Sequence, residues 1–340
     1  MWNIVGHERL VAGLTRSLQS GRLAHAYLFA GPQGVGKLTL ARAFAQALLC
    51  TEAERPCSKC RSCRRVAEGK HADVTVISVD EAAQEEGHKV IGIEKMDELD
   101  RTANLGAFEG NCKIFIIDGA EQLSGNAANR LLKTLEEPPP NVYLLLVSSA
   151  LERVLPTVLS RCRLHELRPV PAATLTAALA ERGCAPERAQ LLAQLAEGRV
   201  GWALSAAQNP SMLEERSAAL APIAALTYEP YYRRLSFAGE LAADYSKRRE
   251  HVRAWLALAR QWWRDMLLVK GGRGELVINM DHRDELVQTA AKLPLESIAA
   301  ALRELDKTEE YLDRNVNARL ALDVLMLRLP LLTPSRRMAA

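Results

Sequence analysis

The glycine-rich stretch GPQGVGKL, residues 31–38, constrains this chain more tightly than anything else in it. It stands between the apolar run AYLFA and the pattern KLTLARAFAQALLC, in which Ala41, Phe44, Ala45 and Leu48 recur on one helical face. Strand, glycine loop, helix is the order in which backbone amides and a helix N-terminus can surround a phosphate group. The alternation continues through DVTVISV, KIFIID, VYLLLVSS and RLHEL, with helical segments between them. Such a chain is expected to build a parallel β-sheet wrapped by helices, an α/β domain over residues 1–168. Within it Ser124 is a plausible cap for the helix GNAANRLLKTLEE, which Pro138, Pro139 and Pro140 end.

The loop nearly fits the phosphate-binding pattern G-x-x-x-x-G-K-[ST]. Gly31, Pro32, Gln33, Gly34, Val35, Gly36 and Lys37 comply, but Leu38 stands where a hydroxyl would hold Mg²⁺, and Thr39 lies about 100° further round the helix. KIFIID delivers Asp118, a carboxylate able to hold the ion or one of its waters, yet Gly119 follows where hydrolysis needs a water-polarising glutamate. Glu121, past the strand end, is expected to point elsewhere. Phosphoryl transfer is mainly positioning and charge stabilisation, so two missing parts indicate a degraded ATPase that can retain ATP or ADP without competent turnover. An autonomous nucleotide-hydrolysing enzyme using Lys37 and Asp118 is the rival reading.

Four of the seven cysteines read Cys50-x6-Cys57-x2-Cys60-x2-Cys63. Four thiolates at such spacing suit a closed tetrahedral zinc site, giving an inserted zinc module at about 50–63. An iron–sulfur cluster and unligated thiols remain alternatives. Lys59, Arg61, Arg64 and Arg65 would offset the thiolate charge or, in a zinc-dependent DNA-binding module, touch DNA. Cys112, Cys162 and Cys184 read as small buried apolar side chains.

Beyond Pro169 strand-like runs cease. A small helical domain is expected over 169–210, broken at Gly183 and around residues 198–201, followed by an all-helical domain over 211–335. Trp255, Trp262 and Trp263 lie at helical spacing, which suits core or subunit packing. A net charge of +3 over 340 residues is too mild for a self-sufficient nucleic-acid binder. No apolar run approaches the roughly 18 residues of a membrane span, and MWNIVGHERL does not read as a signal peptide, so a cytoplasmic protein is expected. In LSRCRLHEL, Arg161 is either a surface ion-pair partner or an arginine finger reaching a neighbour's γ-phosphate.

The loop, the cysteine run followed by GKHADV, then NAANRLLKTLEEPP, the SRC tripeptide and GRVGWAL resemble, in this order, bacterial clamp-loader subunits of the AAA+ class over about the first 205 residues. NVNARLALDVLML is similar to the last helix of their collar. The resemblance implies an AAA+ P-loop domain, a lid at 169–210 and an oligomerisation collar at 211–335. It implies a place in a hetero-oligomer beside tau/gamma motor subunits and a delta subunit, acting on a sliding clamp and primer–template DNA. It also implies that Arg161 works in trans on the adjacent motor. The motor's threonine, glutamate and lid arginine correspond here to Leu38, Gly119 and Gly201, which fits the family's stator. Ser148 and Ser149 take the position of the sensor residue, and Cys50, with a shorter gap than relatives have, is the least secure zinc ligand. The family serves a DNA polymerase, but no polymerase site is recognisable and no autonomous catalysis is expected.

Overall fold

The computed structural model describes residues 2–79, 90–314 and 316–332. Asn315, the first residue of the run NVNARLALDVLML, and residues 333–335 at the expected end of the last domain, lie outside the described residues. The chain divides into two compact units, Met1–Ala207 and Gln208–Ala340.

The first unit is built on five parallel strands: β1 (Ala26–Ala30), β2 (Val74–Ile77), β3 (Lys113–Asp118), β4 (Val142–Ser148) and β5 (Arg163–Glu166), in the order β2-β3-β4-β1-β5. Register is regular, with Leu28 opposite Leu146 on one side and Leu164 on the other. Each residue of β1 is buried, as a central strand covered on both faces must be. Helix α1 (Glu8–Ser20) and helix α2 (Lys37–Leu49) cover one face. Alanines at 41, 43, 45 and 47 let α2 lie close to the strands, and Phe44 meets the Tyr27 ring edge-on at 4.9 Å. The opposite face is covered by α4 (Ile93–Ala103) and α5 (Gly125–Glu136), with α3 (Arg61–Ala67) preceding β2. Ser124 caps α5 by accepting a bond from the Ala127 amide at 3.0 Å, and the expected stop at the proline run is observed.

Three further helices, Ala172–Ala180, Pro186–Leu195 and Val200–Gln208, occupy the region expected to form a separate lid. They lie within the same compact unit as the sheet. The Val170 amide donates to Gly198 O at 3.2 Å and the Gly201 amide to Gly34 O at 3.1 Å. The second bond ties the last of these helices to the glycine loop.

The second unit contains six α-helices among the described residues: Ser211–Ala225, Tyr231–Lys247, Arg249–Lys270, Arg283–Lys292, Leu295–Asp313 and Ala318–Arg328. Trp255, Trp262 and Trp263 are buried in their common core, as their spacing suggested. The fully buried Arg234 donates to the carbonyls of Glu229, Met326, Leu329 and Pro330, fastening the chain beyond the last helix. No described helix is long and apolar enough to cross a membrane.

Candidate functional site

The carboxyl ends of β1, β3 and β4 face a cavity of about 460 Å³. Ligands of open parallel sheets bind at this edge because the connecting loops and helix N-termini converge there. Gln33, Gly34, Gly36, Lys37, Asp118 and Ser149 line it. Gly31 has no room for a side chain: a Cβ would come within 2.2 Å of Leu167 O. The loop therefore crosses the end of β5 in a conformation that glycine alone accommodates.

Lys37 opens α2 and is 5% exposed. Its Nζ donates to Gly31 O and Pro32 O, both at 2.7 Å. Burial pulls its pKa below the usual lysine value, against the opposing pull of Glu121 and Asp118. Asp118 moves the other way: burial raises it, while Lys37 pulls it down. Leu38 and Thr39 also reach the cavity wall.

The expected direction of Glu121 is corrected here. Gly119 takes a left-handed turn (φ 93°), and a 3₁₀ segment, Ala120–Gln122, follows. The turn reverses the chain at the strand end, and Glu121 lines the same cavity as Asp118. Its Oε1 accepts the Ser149 amide at 3.0 Å, and its Oε2 is buried with no hydrogen-bond partner. The sequence signal was the glycine that releases the chain into a tight turn. Gly119 is also more than a lost carboxylate, since an L-residue there would be strained and its Cβ would meet Gln122 Oε1 at 2.5 Å.

Gly201 lines the cavity too. Ser149 does so at the end of β4, while Ser148 is fully buried and accepts the Ala150 amide at 3.2 Å. Arg161 is not among the residues lining this cavity. It follows a short helix, Pro156–Leu159, and its guanidinium pairs with Glu136 at 2.6 Å and donates to Thr157 O at 3.0 Å. The side chain is 36% exposed and its partner 51%, so solvent screens the pair and it is easily broken.

Cys50, Cys57, Cys60 and Cys63 converge, with their sulfurs all within 4.8 Å of one another. Two of the separations are 3.9 Å and 4.0 Å, against about 3.8 Å between sulfurs tetrahedrally placed at ordinary Zn–S distances. The donor set fits zinc. Cys50 joins the group from the end of α2 despite its shorter gap. The amides of Cys60 and Lys59 donate to Cys57 Sγ and lower its pKa to about 6, favouring the thiolate a metal requires. Among the basic residues, Arg65 and Arg61 pair with Glu109 at 2.7 Å and 4.0 Å, so a carboxylate answers them; Lys59, Arg61 and Arg64 are exposed. Cys112 is buried and Cys162 packs against the core, and burial raises each thiol to about 12; Cys184 is half-buried.

Beside the cysteines lies a network that the sequence did not disclose. Asp73, 1% exposed, accepts three consecutive amides, Phe108 at 2.6 Å, Glu109 at 2.9 Å and Gly110 at 2.7 Å. Burial raises its pKa, but these three bonds prevail and hold it below the ordinary aspartate value.

The family model described as "DNA polymerase III, delta subunit" matches residues 6–171. The chain is 28% identical over 326 residues to the DNA polymerase III subunit delta' of Bacillus subtilis, covering 94% of this chain and 95% of that protein. It is 35% identical over 211 residues to DNA polymerase III subunit tau of Escherichia coli, covering 60% of this chain but 32% of that longer protein. Among solved structures, a DNA polymerase III gamma subunit-related protein from Thermotoga maritima aligns over 92% of this chain and 97% of its own, with 16% identity and a TM-score of 0.40.

Proposed function

We propose that this chain, similar over 94% of its length to a DNA polymerase III subunit delta', is the stator of a DNA polymerase III clamp loader. In this reading it sits beside a tau/gamma motor and a delta subunit in the cytoplasm, and helps place a sliding clamp on primed DNA. Residues 1–168 act as the AAA+ domain, 169–210 as the lid and 211–335 as the oligomerisation collar. The observation that carries the proposal is a cavity lined by a phosphate-binding loop but without the groups that turnover needs. Leu38 offers no oxygen to a magnesium ion, Gly119 no carboxylate, and Gly201 no guanidinium. The loop then serves chiefly as fold, with ATP or ADP an optional occupant.

Arg161 is the group the chain lends. A guanidinium held by an exposed carboxylate costs little to release, and in a neighbour's site it would stabilise charge developing on the transferred phosphoryl group. Zinc bound by Cys50, Cys57, Cys60 and Cys63 would cross-link the end of α2 to the loop before α3 and contribute folding energy rather than catalysis.

The test is steady-state ATP hydrolysis by a mixture of motor, delta subunit, clamp and primed DNA, with no added chain, wild type or Arg161→Ala. A silent isolated chain, stimulation by wild type, and an Arg161→Ala chain that assembles without stimulating are expected. Turnover by the isolated chain, or full stimulation by the variant, would refute the proposal.

A further inference from the structure

The phosphate-binding loop attracts anions through two features: the N-terminus of α2 and the ammonium of Lys37. The second is already answered from within the chain. Lys37 spends two of its donors on Gly31 O and Pro32 O. Among the described residues lining the cavity, it is the one cationic side chain, set against the carboxylates of Asp118 and Glu121. In a working site a magnesium ion offsets such carboxylates, but Leu38 cannot help to hold one.

Glu121 is fixed rather than free to swing aside, because Ser149 N holds Oε1 at 3.0 Å. Oε2 is buried without a donor. A carboxylate oxygen in that condition is costly unless a nearby positive field compensates it, and Lys37 supplies such a field. The opposing influence of Glu121 on the Lys37 pKa agrees with this placement.

We infer that Glu121 is an internal counter-ion of the glycine loop, competing with nucleotide phosphates for Lys37 and setting this chain's affinity for ATP and ADP. The competition is for the one ammonium. At the effective dielectric near a protein surface, leaving the Lys37 charge unopposed several ångströms from a phosphate changes affinity by about tenfold or more. A triphosphate, which gains more from an unopposed ammonium, is disfavoured more than a diphosphate.

The inference concerns the cavity proposed above to have lost turnover, but its readout is binding by the isolated full chain, so it stands or falls independently of any role in a clamp loader. Fluorescent ADP and ATP analogues would be titrated, with magnesium and with EDTA, into wild type, Glu121→Gln, Glu121→Ala and the double variant Glu121→Gln with Lys37→Ala. A thermal melt would accompany each titration. Glu121→Gln keeps an acceptor for Ser149 and is expected to bind about tenfold more tightly than wild type, with the larger gain for ATP. The double variant is expected to lose that gain. Glu121→Ala, which gives up the Ser149 bond as well as the charge, is expected to gain affinity also. Unchanged or weaker binding by Glu121→Gln in a folded chain would overturn the inference. So would a gain that survives loss of Lys37, or, should Glu121→Gln not fold, a folded Glu121→Ala chain that binds no better than wild type.

Discussion

Replacing Asp73 tests how the end of the first unit that carries the four cysteines is held together. The side chain is 1% exposed and accepts the amides of Phe108, Glu109 and Gly110 at 2.6–2.9 Å. Glu109 in turn accepts from Arg65 at 2.7 Å and from the Ala72 amide at 3.1 Å, so one carboxylate organises the loop against α3. Hydrogen bonds to a charged group contribute about 1.5–3 kcal/mol each, and they are not additive when one carboxylate accepts all of them. Asp73→Asn keeps one carbonyl acceptor but turns an NH₂ towards an amide N–H, an expected loss of about 3 kcal/mol. For a unit of this size that lowers the melting temperature by about 6–12 °C. The pH dependence has a definite sign. The folded pKa of Asp73 is depressed, so its contribution is present above the unfolded value near ~3.9 and is lost as pH falls through the folded value. Urea unfolding of both chains at pH 7 and at pH 3 is the assay. The difference between them should be large at pH 7 and shrink in acid. A variant within about 0.5 kcal/mol of wild type at pH 7 would refute the reasoning.

The cysteine cluster should bind one zinc per chain, measurable by metal analysis after dialysis. Cys50→Ser should weaken retention, and chelation should lower the melting temperature; a Cys50→Ser chain that keeps full zinc and full stability would remove Cys50 from the ligand set. Arg161→Lys should leave stability within about 1 kcal/mol of wild type, because the pair it disturbs is exposed, yet fail to stimulate the assembled complex, since an ammonium does not reproduce the guanidinium fork. Restoring the missing site parts as Leu38→Thr with Gly119→Glu should not create an ATPase. The left-handed turn at residue 119 opposes the new side chain, and efficient turnover by a folded variant would show that the backbone adapts. Arg234→Met should destabilise the second unit by about 3–5 kcal/mol in urea, because carbonyls at four positions lose a buried donor; a neutral result would mean that water replaces it.

The local features were legible in the sequence because each rests on neighbouring residues. Strand, glycine loop and helix order the phosphate-binding motif, Ser124 and the proline run bound α5, and close spacing brings Cys57, Cys60 and Cys63 together. The buried tryptophans followed from helical period alone. Sequence also displayed what the site lacks, because Leu38 and Gly119 carry no oxygen ligand whatever their surroundings. Tertiary structure decided the rest. Cys50 reaches the other sulfurs because α2 ends beside them. The helices after residue 171 share a unit with the sheet, and the Gly201 amide reaches back to the glycine loop at Gly34. Asp73 became a hub through amides more than thirty residues away, and Arg161 found its counter-ion on a different helix. Glu121 lies between the two kinds of feature: its distance from Asp118 is written in the sequence, but its direction depends on a left-handed glycine and on the Ser149 amide at the end of another strand. Short-range periodicity and capping are encoded residue by residue, whereas the partner of a buried charge depends on which distant backbone groups the fold brings within hydrogen-bonding reach.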